Sequence, residues 1–184
     1  VTVSNLRISN HEINAPFYVE TPSLIVVTKD EYFKKFSMIK NIIPNGTIIV
    51  NTSKNEEEFN NLLSLEDTQI INKRNIKVFT IDADRIAAAS GIRGKISKII
   101  EMIVLDKLEI PSAKELITES IKTSFKTKGQ NIIDANIKAI NEALSNLVEI
   151  KIVPKTGNIE KEDLDVFTKI NRRLGDELTV GEVS

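Results

Sequence analysis

The sequence predicts an α/β domain: a mainly parallel sheet with helices on both faces, three layers in all. Three observations carry this. Largely apolar runs of strand length, Leu24–Thr28, Thr47–Asn51 and Ile76–Ile81, alternate with helical patterns, as in parallel sheets built from crossover units. The runs are apolar at nearly every position rather than at every second one, as expected of strands covered on both faces. Each run leads into a polar residue just ahead of a helix start, namely Thr28, Asn51 and Asp82. Ligands of such sheets gather at that carboxyl edge.

Element by element, Thr2–Ile8 reads as a first strand. Thr28 and Glu31 have the spacing of a capping box, in which the threonine oxygen takes one orphan amide and the glutamate returns to another. Tyr32, Phe36 and Ile39 then share a helical face. Pro44-Asn45-Gly46 is a turn. After Thr47–Asn51, Ser53 and Glu56 repeat the capping pattern, followed by Phe59, Leu62 and Leu63 on one face. Beyond Ile76–Ile81, Asp82 or Asp84 caps a short helix Ala83–Ser90, and Gly91 suits its left-handed end. Gly94 precedes a helix over Lys95–Leu108 that is apolar almost all round, which predicts the most buried helix of the domain. Ser112 with Glu115 gives a third capping pattern, opening a helix to Lys126 that Lys128-Gly129 breaks. An amphipathic helix follows with Ile133, Ile137, Ile140, Leu144 and Leu147, and Glu149–Val153 is a short last strand. Residues 1–153 form the domain. Residues 154–184, polar and carrying Arg172-Arg173, read as a linker or tail.

Composition excludes whole classes of chemistry. The 184 residues carry 25 Lys and Arg against 26 Asp and Glu, a net charge of −1. There is no general pull on nucleic acid or anionic lipid, and two adjacent arginines do not make a nucleic-acid patch. Hydrophobic residues at 41% suffice for a core. With no cysteine and a single histidine, His11 in a polar turn, the chain has no disulfide framework, thiolate metal site, cluster ligands or cysteine nucleophile. No run approaches the roughly 20 apolar residues of a membrane helix, and no signal peptide is visible. The expectation is a domain with no catalytic residue and no metal of its own.

Several segments, in order, resemble one family. Ser4-Asn5-Leu6-Arg7-Ile8-Ser9 with Ile13-Asn14-Ala15-Pro16-Phe17 is similar to the opening of the gamma domain (domain III) of pyruvate:ferredoxin (flavodoxin) oxidoreductases, members of the 2-oxoacid:ferredoxin oxidoreductase family. Lys35–Ile39, Pro44–Asn51, Asn75–Ala83, Ile92–Ile96, Lys128-Gly129 with Asn136, and Gly175–Val180 resemble its later motifs. The resemblance implies an enzyme that oxidatively decarboxylates a 2-oxoacid with coenzyme A. Thiamine diphosphate and iron–sulfur clusters would sit on other domains or subunits, with ferredoxin or flavodoxin as electron acceptor. It implies a cytoplasmic location, or a hydrogenosome or mitosome in an anaerobic eukaryote. It also implies that this Rossmann-like domain binds or gates coenzyme A. The chain departs from the pattern in six ways. The family's first strand and glycine-rich loop would precede Val1, a histidine is replaced by Asn5, and an arginine and a serine by Asn14 and Ala15. An asparagine is replaced by Ser97, and a glutamine by Glu101.

Within that frame the candidate coenzyme A contacts are Arg7, Asn51, Arg93, Gly94, Lys95 and Ser97. Arg7 offers a bidentate fork to a phosphate, or is simply solvated. Asn51 ends a buried strand, where its amide meets a ligand or serves as a turn residue. Arg93-Gly94-Lys95 opens a helix, where amides, dipole and two cations suit an anion; alternatively Gly94 is a loop residue. The glycines and hydroxyl of a P-loop are absent. Three functions follow: a coenzyme A-handling gamma domain whose isolated chain is inactive, a diverged non-catalytic interaction domain, and a stand-alone nucleotide-binding α/β protein.

Overall fold

The structure, a computed structural model, describes residues 3–9, 11–13 and 18–157. Four strands form one sheet in the order β1-β2-β3-β4: β1 Leu24–Val27, β2 Thr47–Asn51, β3 Lys77–Ile81 and β4 Val148–Ile150. β1, β2 and β3 run parallel and β4 runs antiparallel to β3. The helices are α1 Glu56–Leu62, α2 Leu65–Lys73, α3 Ala83–Ala89, α4 Ser97–Lys107, α5 Ala113–Phe125 and α6 Gln130–Ala143. The expected three-layer α/β arrangement is present.

The period of two along each strand sorts side chains between two cores. Ile25, Val27, Ile48, Val50 and Val78 face one layer, built from the β1–β2 connection, α1 and α2. Leu24, Val26, Ile49 and Ile81 face the other, built from α3 to α6. Because β1, β2 and β3 are added in one direction, right-handed crossovers put both connections on the same face. The long β3–β4 connection covers the opposite face. As expected, α4 is the most buried helix: Ser97 is its one exposed residue, and Ile99 and Ile103 are fully buried. Gly91 and Gly129 hold positive φ of 82° and 92° at the end of α3 and the start of α6.

Several local expectations are corrected. Residues 3–9 form no strand and are exposed throughout, because no strand pairs with them; the Arg7 guanidinium reaches the Tyr18 carbonyl instead. Thr28 does not cap a helix. Only a 3-10 helix, Asp30–Lys34, follows, and its Asp30 is drawn toward Thr52 and Lys54 at the end of the next strand. The capping box placed at Ser53 and Glu56 lies two residues on, at Asn55 and Glu58, since the Thr52 hydroxyl first bends the chain by accepting the Lys54 amide. A box at Ser64 and Asp67 opens α2, a helix that the sequence pattern does not separate from α1. Ser112 makes no cap, because its left-handed backbone (φ 57°) departs from the extended geometry a capping side chain needs. α4 starts at Ser97 rather than Lys95, with Ile96 before it. Leu144 and Leu147 fall beyond α6. The last strand pairs only to Ile150. Asn14, Ala15, Arg172-Arg173 and the Gly175–Val180 segment lie outside the described residues.

Candidate functional site

The three strand-end residues singled out from sequence do converge. Thr28, Asn51 and Asp82 line one open cleft of about 320 Å3 at the carboxyl edge, together with Lys29, Asp30, Glu31, Thr52, Ser53, Lys54 and Asp84. β1 ends at Val27, β2 at Asn51 and β3 at Ile81, so the parallel register stacks their exits side by side.

Asn51 is the centre of this edge and is buried. Its Nδ2 donates to the Thr28 carbonyl at 3.1 Å and to Asp84 Oδ2 at 2.8 Å, and its Oδ1 accepts the Ala83 amide at 2.9 Å. One amide thus ties the ends of β1 and β2 to the start of α3. Asp82, the helix cap foreseen, accepts the Arg85 amide at 2.8 Å; Asp84 is not a cap but the partner of Asn51. A second cluster sits beside it. Asp30 accepts hydrogen bonds from the Thr52 hydroxyl and from Lys54 Nζ, the latter at 2.7 Å. Burial pushes the Asp30 carboxyl up, but the bonds from Lys54 and Thr52, the lysine charge and the Glu31 amide outweigh it and hold it below its ordinary value. The same bond, with the carboxylate charge, raises Lys54. Sequence reasoning missed Asp30, Thr52 and Lys54; the signal available was their position directly after strand ends.

The cleft is acidic: Asp30, Glu31, Asp82 and Asp84 face two lysines. Among the described residues, no buried polar side-chain atom lacks a partner, and no group of carboxylates or histidine is placed to hold a metal.

Of the six residues anticipated from sequence, Asn51 alone lines the cleft. Arg93, Gly94 and Lys95 lie in the exposed loop that leads into α4, with Gly94 at φ 76°, and Ser97 is the exposed first residue of that helix. Arg7 is exposed on the N-terminal segment. At the start of α4, Ile96 offers no capping side chain and the first turn carries no acid. The Arg93 and Lys95 side chains have no hydrogen-bond or ion-pair partner among the described residues. Uncapped amides with unneutralised cations are a fit for a phosphate group.

Residues 1–146 match the protein family described as pyruvate ferredoxin/flavodoxin oxidoreductase. The chain belongs to that family. It is similar to the pyruvate-flavodoxin oxidoreductase of Enterobacter agglomerans, 24% identical over 193 residues that cover 98% of this chain and 16% of that protein. The pyruvate:ferredoxin oxidoreductase of Moorella thermoacetica is 26% identical over 194 residues, covering 98% and 17%. The chain therefore spans about one sixth of the length of these relatives. Its fold resembles the solved pyruvate oxidoreductase subunit PORC from Thermotoga maritima, with a TM-score of 0.57, 23% identity, and coverage of 72% of this chain and 67% of that one. The resemblance read from the sequence motifs is thereby borne out at the level of family and fold. No helix among the described residues is long and apolar enough to cross a membrane.

Proposed function

We propose that this chain acts as a gamma-type domain of a pyruvate:ferredoxin (flavodoxin) oxidoreductase and binds or gates coenzyme A within it. The observation that carries the reading is the family match over residues 1–146. The whole enzyme would oxidatively decarboxylate a 2-oxoacid and pass electrons to ferredoxin or flavodoxin. Thiamine diphosphate and iron–sulfur clusters would be held by other domains or subunits, in keeping with a chain that has no cysteine.

Electrostatics separates two places for the anionic end of coenzyme A. The carboxyl-edge cleft repels it, since four carboxylates outnumber two lysines and one lysine is already paired with Asp30. The loop Arg93–Ser97 attracts it, with two cations and the first amides of α4. Arg7 is a further exposed cation, and Asn51 holds the sheet edge rather than offering its amide. Charge-assisted bonds contribute about 1.5–3 kcal/mol each. Replacing both cations (Arg93→Ala with Lys95→Ala) in the assembled enzyme should therefore raise KM for coenzyme A by about 100-fold or more, with KM for the oxoacid unchanged. Titration of this chain alone with coenzyme A should give millimolar binding, abolished by the double variant. Micromolar binding that ignores both substitutions would refute the location.

The acidic cleft favours a second reading, a diverged domain that holds its neighbours in place without touching coenzyme A. It predicts an unchanged KM and a loss of assembled enzyme when the domain is removed.

A further inference from the structure

The segment that leaves the last strand is held by side chains rather than by a strand. β4 pairs with β3 only as far as Ile150 opposite Val78, yet the chain stays seated against the domain. Ile152 is 4% exposed, in the same core as Ile150. The backbone groups a neighbouring strand would take are taken by α1 and α2. Asn60 of α1 donates Nδ2–H to the Lys151 carbonyl at 3.0 Å and accepts the Val153 amide on Oδ1 at 2.8 Å. A side-chain amide presents one donor and one acceptor, as a peptide unit does, so Asn60 mimics one residue of a β-ladder. Glu56 accepts the Lys151 amide at 3.1 Å, Asn72 of α2 donates to the Ile152 carbonyl at 3.1 Å, and the Thr68 hydroxyl accepts the Lys155 amide at 3.1 Å.

Lys155 closes the arrangement. Its Nζ donates to the Leu63 carbonyl at 2.5 Å, at the C-terminal end of α1, a helix with no basic residue in its last turn. It provides, from 92 positions away in sequence, the cation that a helix C-terminus favours. Two residues later the chain still runs against α2: a Cβ placed on Gly157 would come within 2.6 Å of the Leu65 side chain.

We propose that residues 151–157 are a latch, and that α1 and α2 form a prebuilt edge reading the backbone of this segment. The latch sets the point and direction from which the chain leaves the domain. On the reading of the chain as one domain of a longer oxidoreductase, whose relatives are about six times its length, the latch fixes where the domain hands the chain on after Gly157. The inference does not depend on coenzyme A. It also links the outgoing chain to the carboxyl edge, because α1 begins two residues after Lys54 and is gripped at Glu56 and Asn60.

Trypsin reads the latch directly, since Lys151 and Lys155 are both cleavage sites. In the full 184-residue chain under native conditions, cleavage after either lysine should run at least about tenfold slower than in urea, because cutting requires local opening. The double variant Asn60→Leu with Asn72→Ala should restore rapid cleavage at both sites while the far-ultraviolet spectrum is unchanged. Amide exchange at Lys151, Val153 and Lys155 in the unsubstituted chain tests the same bonds without any variant, and all three should be protected. Cleavage of the native chain at the urea rate, exchange of those amides at the random-coil rate, or undiminished protection in a folded double variant would each overturn the proposal.

Discussion

The two layers that flank the sheet are assembled on different principles. Opposite β2 and β3, helices α3 to α6 bury aliphatic side chains against one another: Ile86, Ile99, Ile103, Ile117, Ile121 and Ile140 interdigitate, and Asn51, Ser90 and Asn136 are the buried polar residues on that face. On the other face, α1, α2 and the 3-10 helix pack fewer residues around a Phe33–Phe59 edge-to-face pair at 5.5 Å. That layer buries Asp30, Thr52, Asp67 and Thr68, holds both capping boxes and carries the latch. The first layer is specified by shape and volume, the second by directed hydrogen bonds. Helix length contributes to the contrast, although α3, with seven residues, sits in the first layer under its Asp82 cap. α1 has seven residues and α2 nine, too few to hold themselves without caps and tertiary partners; α5 and α6, with 13 and 14, hold together through their apolar faces.

Large-to-small substitutions measure the contrast most strongly. Ile103→Ala in α4 should lower unfolding free energy by about 2–5 kcal/mol and Phe59→Ala in α1 by about 3–5 kcal/mol. Both side chains are fully buried. An unchanged denaturant midpoint for Ile103→Ala would show that the aliphatic layer is not a packed core. Asn51→Leu comes next, since it strands the Ala83 amide and the Thr28 carbonyl at the seam between β2 and α3. An unsatisfied buried group costs about 1–3 kcal/mol, so a midpoint shift smaller than that of a surface substitution would deny Asn51 its role.

Caps sharpen the comparison further. Asn55→Ala removes a working box and should cost about 0.5–2 kcal/mol. Ser112→Ala, at a left-handed residue whose hydroxyl caps nothing, should cost far less, and Ser112→Gly should stabilise by relieving the positive φ. Equal losses for Asn55→Ala and Ser112→Ala would erase the distinction between the layers.

The smallest effects are protonic, and within the polar layer they have opposite signs. Asp30 is held below its ordinary value, so its contribution is present above the unfolded carboxylate range, near 4, and is lost as pH falls through the lower folded value. Asp67 is pushed up by burial, against the hydrogen bonds from Ser64. Its folded state favours the proton, so stability declines as pH rises through that raised value. Asp67→Asn should therefore stabilise at pH 7 and be neutral at pH 3, whereas Asp30→Asn should destabilise at pH 7 and converge with the unsubstituted chain in acid. Urea midpoints at the two pH values decide both, and the same sign for the two variants would contradict the assignment.

Much of the aliphatic layer was legible in the sequence. A helix apolar almost all round at Lys95–Leu108 can only be interior, and continuous apolar runs at Leu24–Thr28 and Thr47–Asn51 can only be strands covered twice, because burial follows directly from composition and period. The strand-end positions of Thr28, Asn51 and Asp82 were legible for the same reason. The polar layer was not. Ser53 with Glu56, Asn55 with Glu58, and Ser64 with Asp67 all have the i to i+3 spacing of a capping box, and only the path of the chain past Thr52 selects Asn55 with Glu58 over Ser53 with Glu56. The exit beyond Ile150 reads as strand to Val153 because its alternation is that of a strand; its partners, Asn60 and Asn72, stand some 80 to 93 positions away. The sequence by itself determined which residues are inside and which edge of the sheet is polar, since hydrophobic burial is a sum over residues and needs no knowledge of direction. Only the tertiary structure decided which hydrogen-bonding groups meet, that Asn51 joins the strand ends and that an asparagine stands in for a strand, because a hydrogen bond depends on distance and angle between groups that only folding brings together.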